Sequence, residues 1–383
     1  MAREDPDHKL NVVIAGGGVA ALETALALSE LAPSQTSRTL LTASSEFVYR
    51  PMTVVEPFAY PSAQRYSLAQ IAEDAGAQLV TDRLSWVEPQ KQVAHTTGGL
   101  ELAYDALVVA TGARPQPHYK HALTIDDRNL DETLHGLIQD IEEGYVSSLA
   151  FVAAPRMAWL LPLYELALMI SGRAYDMNVK PAMTVVTPED GPLAIFGSAV
   201  SEAVAELLRS AHVDVIASAY AEIPRSGLVL INPGDRCLHA DRIIALPELY
   251  GPGVRGIPVG EHGFIRVTPY GQVPDAGPVY AAGDATAFAL KHGGIAAQQA
   301  DVAAESIAAL AGAPVTPAPF HPVIHGILLT HEKPRYLTAR ITGGHGFSSQ
   351  FTETPTWSPP TKIAARYLAP YLDEHDHQTA NAR

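Results

Sequence analysis

The first third of the chain shows two patterns of apolar positions in turn. Residues 11–15 read NVVIA, a nearly continuous apolar run that is typical of a strand buried on both faces. A glycine turn follows, and an Ala- and Leu-rich stretch to about residue 31 predicts a helix. The next apolar run, at residues 39–42, predicts a second strand. This order predicts a βαβ unit with two parallel strands.

A second set of such elements begins near residue 148. Apolar runs predict strands at 149–153, 182–187 and 213–217, separated by helices at 160–170 and 200–210. A later run, 278–282, looks like a strand that returns to the first sheet. The fold class is therefore α/β, with two Rossmann-like dinucleotide-binding domains, the second inserted into a discontinuous first. We expect residues 8–115 and 243–315 to form the first domain, 116–242 the second, and 316–383 a C-terminal tail that caps them.

Composition and charge narrow the function classes. The 383 residues suffice for two or three domains, and 47% hydrophobic residues are typical of a globular protein. A formal net charge of −15 argues against binding to nucleic-acid phosphates. Cys237 is the only cysteine, which excludes an intrachain disulfide and a paired dithiol. The 15 histidines show no recognisable metal-ligand spacing.

The ends of the chain and its most apolar segment bear on location. The N-terminus is charged and lacks the apolar run of a signal peptide. The most apolar stretch, residues 157–170, is shorter than the roughly 20 residues of a membrane-spanning helix. We therefore expect a cytoplasmic protein that contacts a membrane peripherally at most.

The glycine turn after the first strand carries the first chemical signal. Residues 16–21 read GGGVAA and fit the pattern G-x-G-x-x-A. Gly16 permits the tight turn, and Gly18 lets the backbone approach a pyrophosphate. The small Ala20 and Ala21 let the helix pack closely on the strand. Because the helix N-terminus also offers free N–H groups to phosphates, this segment predicts dinucleotide binding.

The acidic residue that usually holds the ribose is missing after the second strand. That strand ends at Thr42 and is followed by Ala-Ser-Ser. Ser44 could take the ribose through its hydroxyl, and Glu46 through a shifted carboxylate. The remaining alternative is that backbone or water holds the ribose.

Two further segments, VVATGA at 108–113 and VYAAGD at 279–284, occur in order with the glycine turn. Together the three motifs resemble the FAD-dependent pyridine nucleotide-disulfide oxidoreductase superfamily. Within it, the chain is most similar to the branch of type II NADH:quinone oxidoreductases, sulfide:quinone oxidoreductases and flavocytochrome c sulfide dehydrogenases. The resemblance covers roughly residues 10–315, and the tail more loosely.

The resemblance implies bound FAD and assigns roles at two of these segments. Asp284, which follows Gly283, would hydrogen-bond the ribityl chain of the cofactor. Thr111 and Gly112 would line the cofactor where the chain passes between domains.

The resemblance also points to the surroundings of the flavin ring. Lys291, Gly293 and Gly294 precede a predicted helix whose N-terminus would face the flavin pyrimidine and stabilise negative charge there. A solvated loop lysine is the alternative for Lys291. Arg50 and Pro51 lie in a loop that would exclude water from the ring, or that packs as an ordinary surface loop.

The second domain departs from the nucleotide-binding pattern. Residues 153–165 contain no glycine, and Trp159 stands in the turn. Since a nicotinamide dinucleotide needs close backbone approach, we expect poor NAD(P)H binding here, as in the sulfide-oxidising branch. That branch uses redox cysteines, one of them near the position of Trp159. Cys237 stands elsewhere, and we expect it to be a buried or half-buried structural residue.

Glu165 lies just after this turn, where the related quinone-reducing enzymes have a catalytic glutamate. Near an apolar flavin face its pKa would rise and suit proton transfer to a quinone oxygen. A helix N-terminal glutamate favoured by the helix dipole is the alternative. By the same resemblance Gln298 and Gln299 lie near the flavin, unless they face solvent.

The tail predicts a helix from Trp357 to Leu372. Lys362 and Arg366 would suit anionic lipid headgroups, as in related enzymes that dock on membranes. The alternative is an apolar stripe that packs on the same chain or against a second copy in a homodimer.

These observations predict an FAD-dependent oxidoreductase that passes two electrons through the flavin. The donor is an unidentified small-molecule reductant, and the acceptor is quinone-like or a protein. Glu165 and Lys291 are the expected catalytic residues. One alternative is an NAD(P)H:quinone dehydrogenase with a non-standard nucleotide pose. The other is an FAD-binding protein without turnover.

Overall fold

The computed structural model describes residues 9–58, 63–125, 130–157, 159–342 and 346–381. The strands are β1 (Leu10–Ala15), β2 (Thr36–Thr42), β3 (Glu46–Val48), β4 (Arg65–Ser67), β5 (Ala77–Thr81), β6 (Leu84–Glu88), β7 (Val93–Thr96), β8 (Glu101–Ala103), β9 (Ala106–Val109), β10 (Arg114–Gln116), β11 (Leu123–Thr124), β12 (Ser148–Val152), β13 (Ala182–Val186), β14 (Val213–Ile216), β15 (Tyr220–Arg225), β16 (Leu228–Asn232), β17 (Arg236–His239), β18 (Arg242–Ala245), β19 (Glu248–Tyr250), β20 (Val279–Ala281), β21 (Val323–Leu328), β22 (Arg335–Thr342) and β23 (Gly346–Thr352). The α-helices are α1 (Val19–Leu31), α2 (Leu68–Asp74), α3 (Leu130–Glu142), α4 (Leu161–Asp176), α5 (Ser198–Ser210), α6 (Gly293–Leu310) and α7 (Leu368–Asn381).

The first parallel sheet has the strand order β20-β9-β1-β2-β5. Its central strands are apolar along their length because both faces are covered. On one face α1 packs along α6, and both helices are rich in alanine, which lets their backbones come close. The antiparallel sheet β6-β7-β8 covers the other face through Val87, Ala94 and neighbouring apolar residues. The predicted first βαβ unit is confirmed.

The second parallel sheet repeats this arrangement with the order β11-β18-β12-β13-β14. Helices α3, α4 and α5 contribute a core that contains Phe151, Tyr164 and Phe196, all buried. On the opposite side the antiparallel sheet β15-β16-β17 covers the strands through residues such as Val229 and Ile231. Two similar α/β units therefore lie in one chain, as predicted.

The chain crosses between the units at two places that pair with each other. β10 on the way out and β19 on the way back form a short antiparallel ribbon. β20 then pairs with β9, so the chain returns to the first sheet as predicted. β18 pairs with β12, however, which puts Arg242–Ala245 in the second sheet. The domain division stays a proposal, with its return point moved from residue 243 to after Ala245; residue 8 lies outside the described residues.

The tail forms an antiparallel sheet, β21-β22-β23, and then α7. The sheet contacts α4, while α7 contacts α1. The helix predicted from Trp357 begins only at Leu368, because Pro359 and Pro360 lack the N–H groups of a helix interior. Among the described residues, no helix is both long and apolar enough to pass through a lipid bilayer.

Candidate functional site

The predicted cofactor segments meet at one edge of the first sheet. β1, β2, β9 and β20 are parallel, so their carboxyl ends lie side by side. The residues that directly follow these strands are those of the glycine turn (Gly16 to Gly18), Ser44, Thr111 with Gly112, and Gly283 with Asp284. Open α/β sheets bind their ligands at this edge.

The glycine turn is shaped for a group that approaches α1 from outside. A Cβ atom on Gly16 would lie 2.2 Å from the carbonyl oxygen of Ala110, and its φ of +143° also requires glycine. Gly18 is exposed, and a Cβ atom there would have nothing within 4 Å. No side chain caps the start of α1, and its first turn holds no acidic residue. Open space in front of free N–H groups fits a pyrophosphate.

The small residues at the start of α1 let other segments approach. Ala20 and Ala21 are buried, and a Cβ atom on Gly283 would lie 3.0 Å from the Cβ of Ala20. The Gly283 N–H donates to the buried side chain of Gln299 at 2.9 Å, and the Thr286 hydroxyl donates to the same oxygen at 3.1 Å. Gln299 therefore fixes the Gly283 turn, and its solvent-facing alternative is wrong.

The segment after β2 carries both side chains proposed to hold the ribose, the hydroxyl of Ser44 and the carboxylate of Glu46. Ser44 is exposed, and its N–H donates to the Thr42 hydroxyl at 3.3 Å. The Glu46 carboxylate lies 3.5 Å from Arg65 in an exposed ion pair. Since Glu46 already has a cationic partner, Ser44 remains the proposed ribose contact.

Lys291 is buried just before α6, so the solvated-loop alternative is wrong. Its ammonium donates to the backbone oxygen of Thr286 and lies 4.1 Å from the centre of the Phe264 ring. Burial lowers the pKa of Lys291 to about 8, and the charge of Asp284 opposes this shift. A buried ammonium near Asp284 and the N-terminal glycines of α6, Gly293 and Gly294, concentrates positive potential there.

The loop that contains Arg50 and Pro51 packs on the tail. Phe47 and Tyr49 are buried, whereas Arg50 is exposed. The Ile363 N–H donates to the Tyr49 hydroxyl at 2.9 Å, and burial raises the pKa of Tyr49 to about 12. The loop and the tail are thus joined through Tyr49, a contact that sequence patterns do not indicate.

Glu165 forms a buried ion pair that sequence reasoning missed. The ammonium of Lys362 lies 2.7 and 2.9 Å from its two carboxylate oxygens, and the Leu329 N–H donates to it at 2.8 Å. The side chains of Lys362 and Glu165 are only 7% and 1% exposed. The prediction that Lys362 faces lipid headgroups is therefore wrong, because the ammonium neutralises a carboxylate inside the protein. Burial raises the pKa of Glu165 and lowers the pKa of Lys362.

Trp159 fills the space between the second unit and the start of α6. Its ring centroid lies 4.6 Å from that of His292 and 5.8 Å from that of Phe196. His292 directly precedes α6, and within the described residues its buried Nδ1 has no hydrogen-bond partner. Burial lowers the pKa of His292 to about 3, so the imidazole is neutral at physiological pH. An indole at this place supports the expectation that NAD(P)H binds poorly.

A cavity of about 330 Å³ lies between the Tyr49 loop, the tail sheet and α7. Its apolar lining includes Met52, Ile327 and Leu372, and Lys362 lines it as well. The cavity was not predicted, because its walls come from segments far apart in the sequence. The ammonium-bearing side chain of Lys362 thus forms part of the wall of a mostly apolar cavity.

Cys237 is exposed on β17, which corrects the expectation of a buried residue. β17 is an edge strand of the β15-β16-β17 sheet, and its side chains pack less than those of the central strand. Within the described ranges no cluster of His, Cys, Asp or Glu is arranged to hold a metal ion.

Comparisons with known proteins relate part of this chain to a family and its whole fold to solved structures. Residues 7–143 match the family model described as pyridine nucleotide-disulphide oxidoreductase. A search of curated protein sequences gives no match. The solved sulfide:quinone oxidoreductase of Aquifex aeolicus is similar over 96% of this chain and 90% of that chain, with 19% identity and a TM-score of 0.79.

Two other solved structures show the same fold at lower similarity. A ferredoxin reductase of Rhodopseudomonas palustris aligns over 90% of this chain and 89% of that chain, with 16% identity and a TM-score of 0.67. An NAD-dependent persulfide reductase of A. fulgidus aligns over 87% and 64%, with 20% identity and a TM-score of 0.63. The family match over residues 7–143 agrees with the predicted superfamily, and the solved structures show the predicted two-domain α/β fold.

Replacing Gly18 by valine separates cofactor binding from folding. Because a Cβ atom at Gly18 meets open space, Gly18→Val should keep the melting temperature of the FAD-free protein. The side chain would obstruct the phosphates, so the FAD dissociation constant should rise about tenfold or more, a loss of about 1.4 kcal/mol. Fluorescence titration of flavin measures it.

Gly16→Ala is the contrasting variant, because its Cβ would clash with the Ala110 carbonyl whether or not FAD is bound. It should lower the melting temperature itself. Wild-type FAD affinity in Gly18→Val would show that the pyrophosphate lies elsewhere.

Proposed function

From its match to the FAD-dependent pyridine nucleotide-disulphide oxidoreductase superfamily, we propose that this chain is an oxidoreductase that reduces a quinone-like acceptor with electrons from an unidentified donor. The observation that carries the proposal is the apolar cavity with Lys362 at its wall and Glu165 directly behind it. A mostly apolar space with a few polar groups at its wall, Lys362 among them, suits a flat, uncharged ring that takes up protons as it is reduced.

The residues at the sheet edge fit the cofactor. When bound, FAD accepts two electrons from one partner and passes them to another. Gly18 and the start of α1 would hold its phosphates, and Ser44 its ribose. Asp284 would hold the ribityl chain beside Thr111 and Gly112. Lys291 would supply positive potential, which favours a ring that gains electrons.

The buried ion pair fits the proton chemistry of quinone reduction. A quinone takes up two protons with its two electrons, so the site needs a proton donor in reach of its oxygens. Burial raises the pKa of Glu165 and lowers that of Lys362, which brings their proton affinities together. Lys362, which lines the cavity, would donate one of the two protons, and the Glu165 carboxylate would hold its ammonium in place before the transfer. Solvent would supply the second proton and reprotonate the amine.

The residues that would serve an electron donor differ from those expected for either NAD(P)H or sulfide. Trp159 occupies the turn that a nicotinamide dinucleotide would need, and it contacts His292 at the start of α6. Cys237 is exposed and alone, so a disulfide-based oxidation of sulfide has no cysteine pair. Both observations disfavour the two usual donors of the related enzymes. Similarity to a ferredoxin reductase leaves a protein as the alternative acceptor.

An anaerobic absorbance screen tests the proposed reaction. The chemically reduced flavoprotein should be reoxidised by a soluble quinone faster than by a one-electron protein acceptor. NADH and NADPH should bleach the oxidised flavin slowly, because Trp159 obstructs the approach. Rapid bleaching by NADH would establish the NAD(P)H dehydrogenase instead. Retained flavin that no quinone reoxidises would favour a binding protein without turnover.

Removing the ammonium of Lys362 tests its role at the cavity. Lys362→Met should lower the rate of flavin reoxidation by quinone about 10²- to 10⁴-fold, the usual range for general acid catalysis. Flavin reduction by dithionite should be unchanged. Stopped-flow absorbance follows both half-reactions.

A double variant separates chemistry from stability. Lys362→Met alone leaves the Glu165 carboxylate unpaired, which costs about 3–5 kcal/mol. Adding Glu165→Gln should recover most of the melting temperature but none of the reoxidation rate. Recovery of both would show that the pair serves stability alone.

Trp159→Gly tests the obstruction on the donor side. Without the indole, NADH should bleach the flavin about tenfold faster than in the wild type, since the backbone becomes accessible. Trp86→Ala is the matched control, because that indole lies on β6 in the first unit. Equal bleaching in all three proteins would contradict a role of Trp159 in donor choice.

A further inference from the structure

Two carboxyl groups, one buried and one half-buried, meet beneath the start of α7. Glu23 lies on α1 and is 0% exposed, and Asp301 lies on α6. α1 packs along α6, and this packing brings the two carboxyl groups into contact. The Asp301 Oδ1 atom is buried, and no donor among the described residues reaches it. Two carboxylates in contact and shielded from water repel each other, which favours a proton held between them.

Glu23 is the partner that carries the negative charge. Its carboxylate accepts the backbone N–H groups of Arg366 at 2.7 Å, Tyr367 at 2.9 Å and Leu368 at 2.6 Å. These are the N–H groups at the beginning of α7, which have no acceptor within the helix. An anion at a helix N-terminus is also favoured by the helix dipole. Asp301 therefore holds the proton and donates it to Glu23.

We propose that Glu23 and Asp301 form a proton-sharing latch that holds the start of α7 and releases it when the pair loses its proton. α7 supplies Leu368, Ala369 and Leu372 to the wall of the 330 Å³ cavity. Release of α7 would open that wall. The link to quinone reduction rests on the proposed function, whereas the latch itself does not.

The direction of the pH dependence follows from the proton count. Burial raises the pKa of Asp301 to about 8, and the charges of Glu23 and Glu305 add to this rise. The charge of Arg366 opposes it, and Tyr367 is the remaining titratable group beside the pair. With α7 released, Asp301 would titrate nearer to its ordinary pKa. The docked state thus binds the extra proton, and docking weakens as the pH rises towards 8.

Amide hydrogen exchange of the FAD-loaded protein tests the latch. The measured quantity is the exchange rate of the 366–381 segment, divided by that of the Asp301→Asn variant at the same pH to remove the intrinsic pH effect. An asparagine amide still donates to Glu23 but has no proton to lose. The ratio should rise at least about tenfold between pH 6 and pH 9, since one proton changes an equilibrium by up to tenfold per pH unit.

Glu305→Gln is the matched control, because it removes a carboxylate of α6 that pairs with Arg366 at 3.4 Å without touching the shared proton. It should keep the weakening of docking with rising pH but move its midpoint to lower pH, because the charge of Glu305 adds to the raised pKa of Asp301. A constant ratio, or loss of the dependence in Glu305→Gln, would overturn the proposal.

Infrared spectroscopy gives a second measurement that does not depend on the folding of a variant. The wild type should show a carboxylic-acid C=O band at pH 6 that disappears by pH 9, and Asp301→Asn, where it folds, should lack that band. Absence of the band in the wild type would overturn the shared proton. Neither measurement needs turnover, so the latch can be confirmed even if the cavity takes no quinone.

Discussion

The ion pair between Glu165 and Lys362 is the contact on which the arrangement of the cavity depends. It joins α4 of the second unit to a tail segment 197 residues later, and the same carboxylate accepts the N–H of Leu329 from the tail sheet. Transferring two charges from water to the protein interior costs free energy. The attraction within a buried pair offsets this desolvation only when the remaining hydrogen-bonding groups of the pair also have partners. Glu165 meets this condition with three contacts, which is why the position tolerates a charge at 1% exposure.

Glu23 forms the second contact that fixes the tail, through hydrogen bonds from the tail's backbone N–H groups. Its carboxylate holds the beginning of α7 against α1, where alanines of α1 and α6 leave room for close helix packing. One acidic residue from each parallel unit, Glu165 and Glu23, therefore binds the tail by direct charge-assisted hydrogen bonds. Buried carboxylates of this kind make the tail an integral part of the fold rather than an appendage. Both contacts hold parts of the cavity wall in place, Lys362 itself and the residues of α7.

The sequence allowed prediction of what depends on local pattern. Continuous apolar runs indicated the parallel strands, and the glycine turn with Gly16 and Gly18 indicated the sheet edge where the cofactor segments meet. The pattern could not indicate the partner of Glu165, because no periodicity links α4 to Lys362. For the same reason the pattern could not decide between the two interpretations of the tail, because a lysine beside tyrosines suits both a membrane contact and packing on the same chain until its carboxylate partner is known. Asp301, on an alanine-rich helix, gave no signal without its neighbour Glu23.

A change at Trp159 and a change at the Glu165–Lys362 pair would have different physical costs. Trp159, in the turn between β12 and α4, is an uncharged side chain that packs on Phe196 and His292. Losing a nucleotide site in this way leaves no buried charge without a partner. Losing either member of the Glu165–Lys362 pair would strand a charge in the interior, so the pair can only be kept or replaced as a whole. The turn at Trp159 can therefore accept substitutions one residue at a time, whereas the buried pair constrains two distant segments of the chain together.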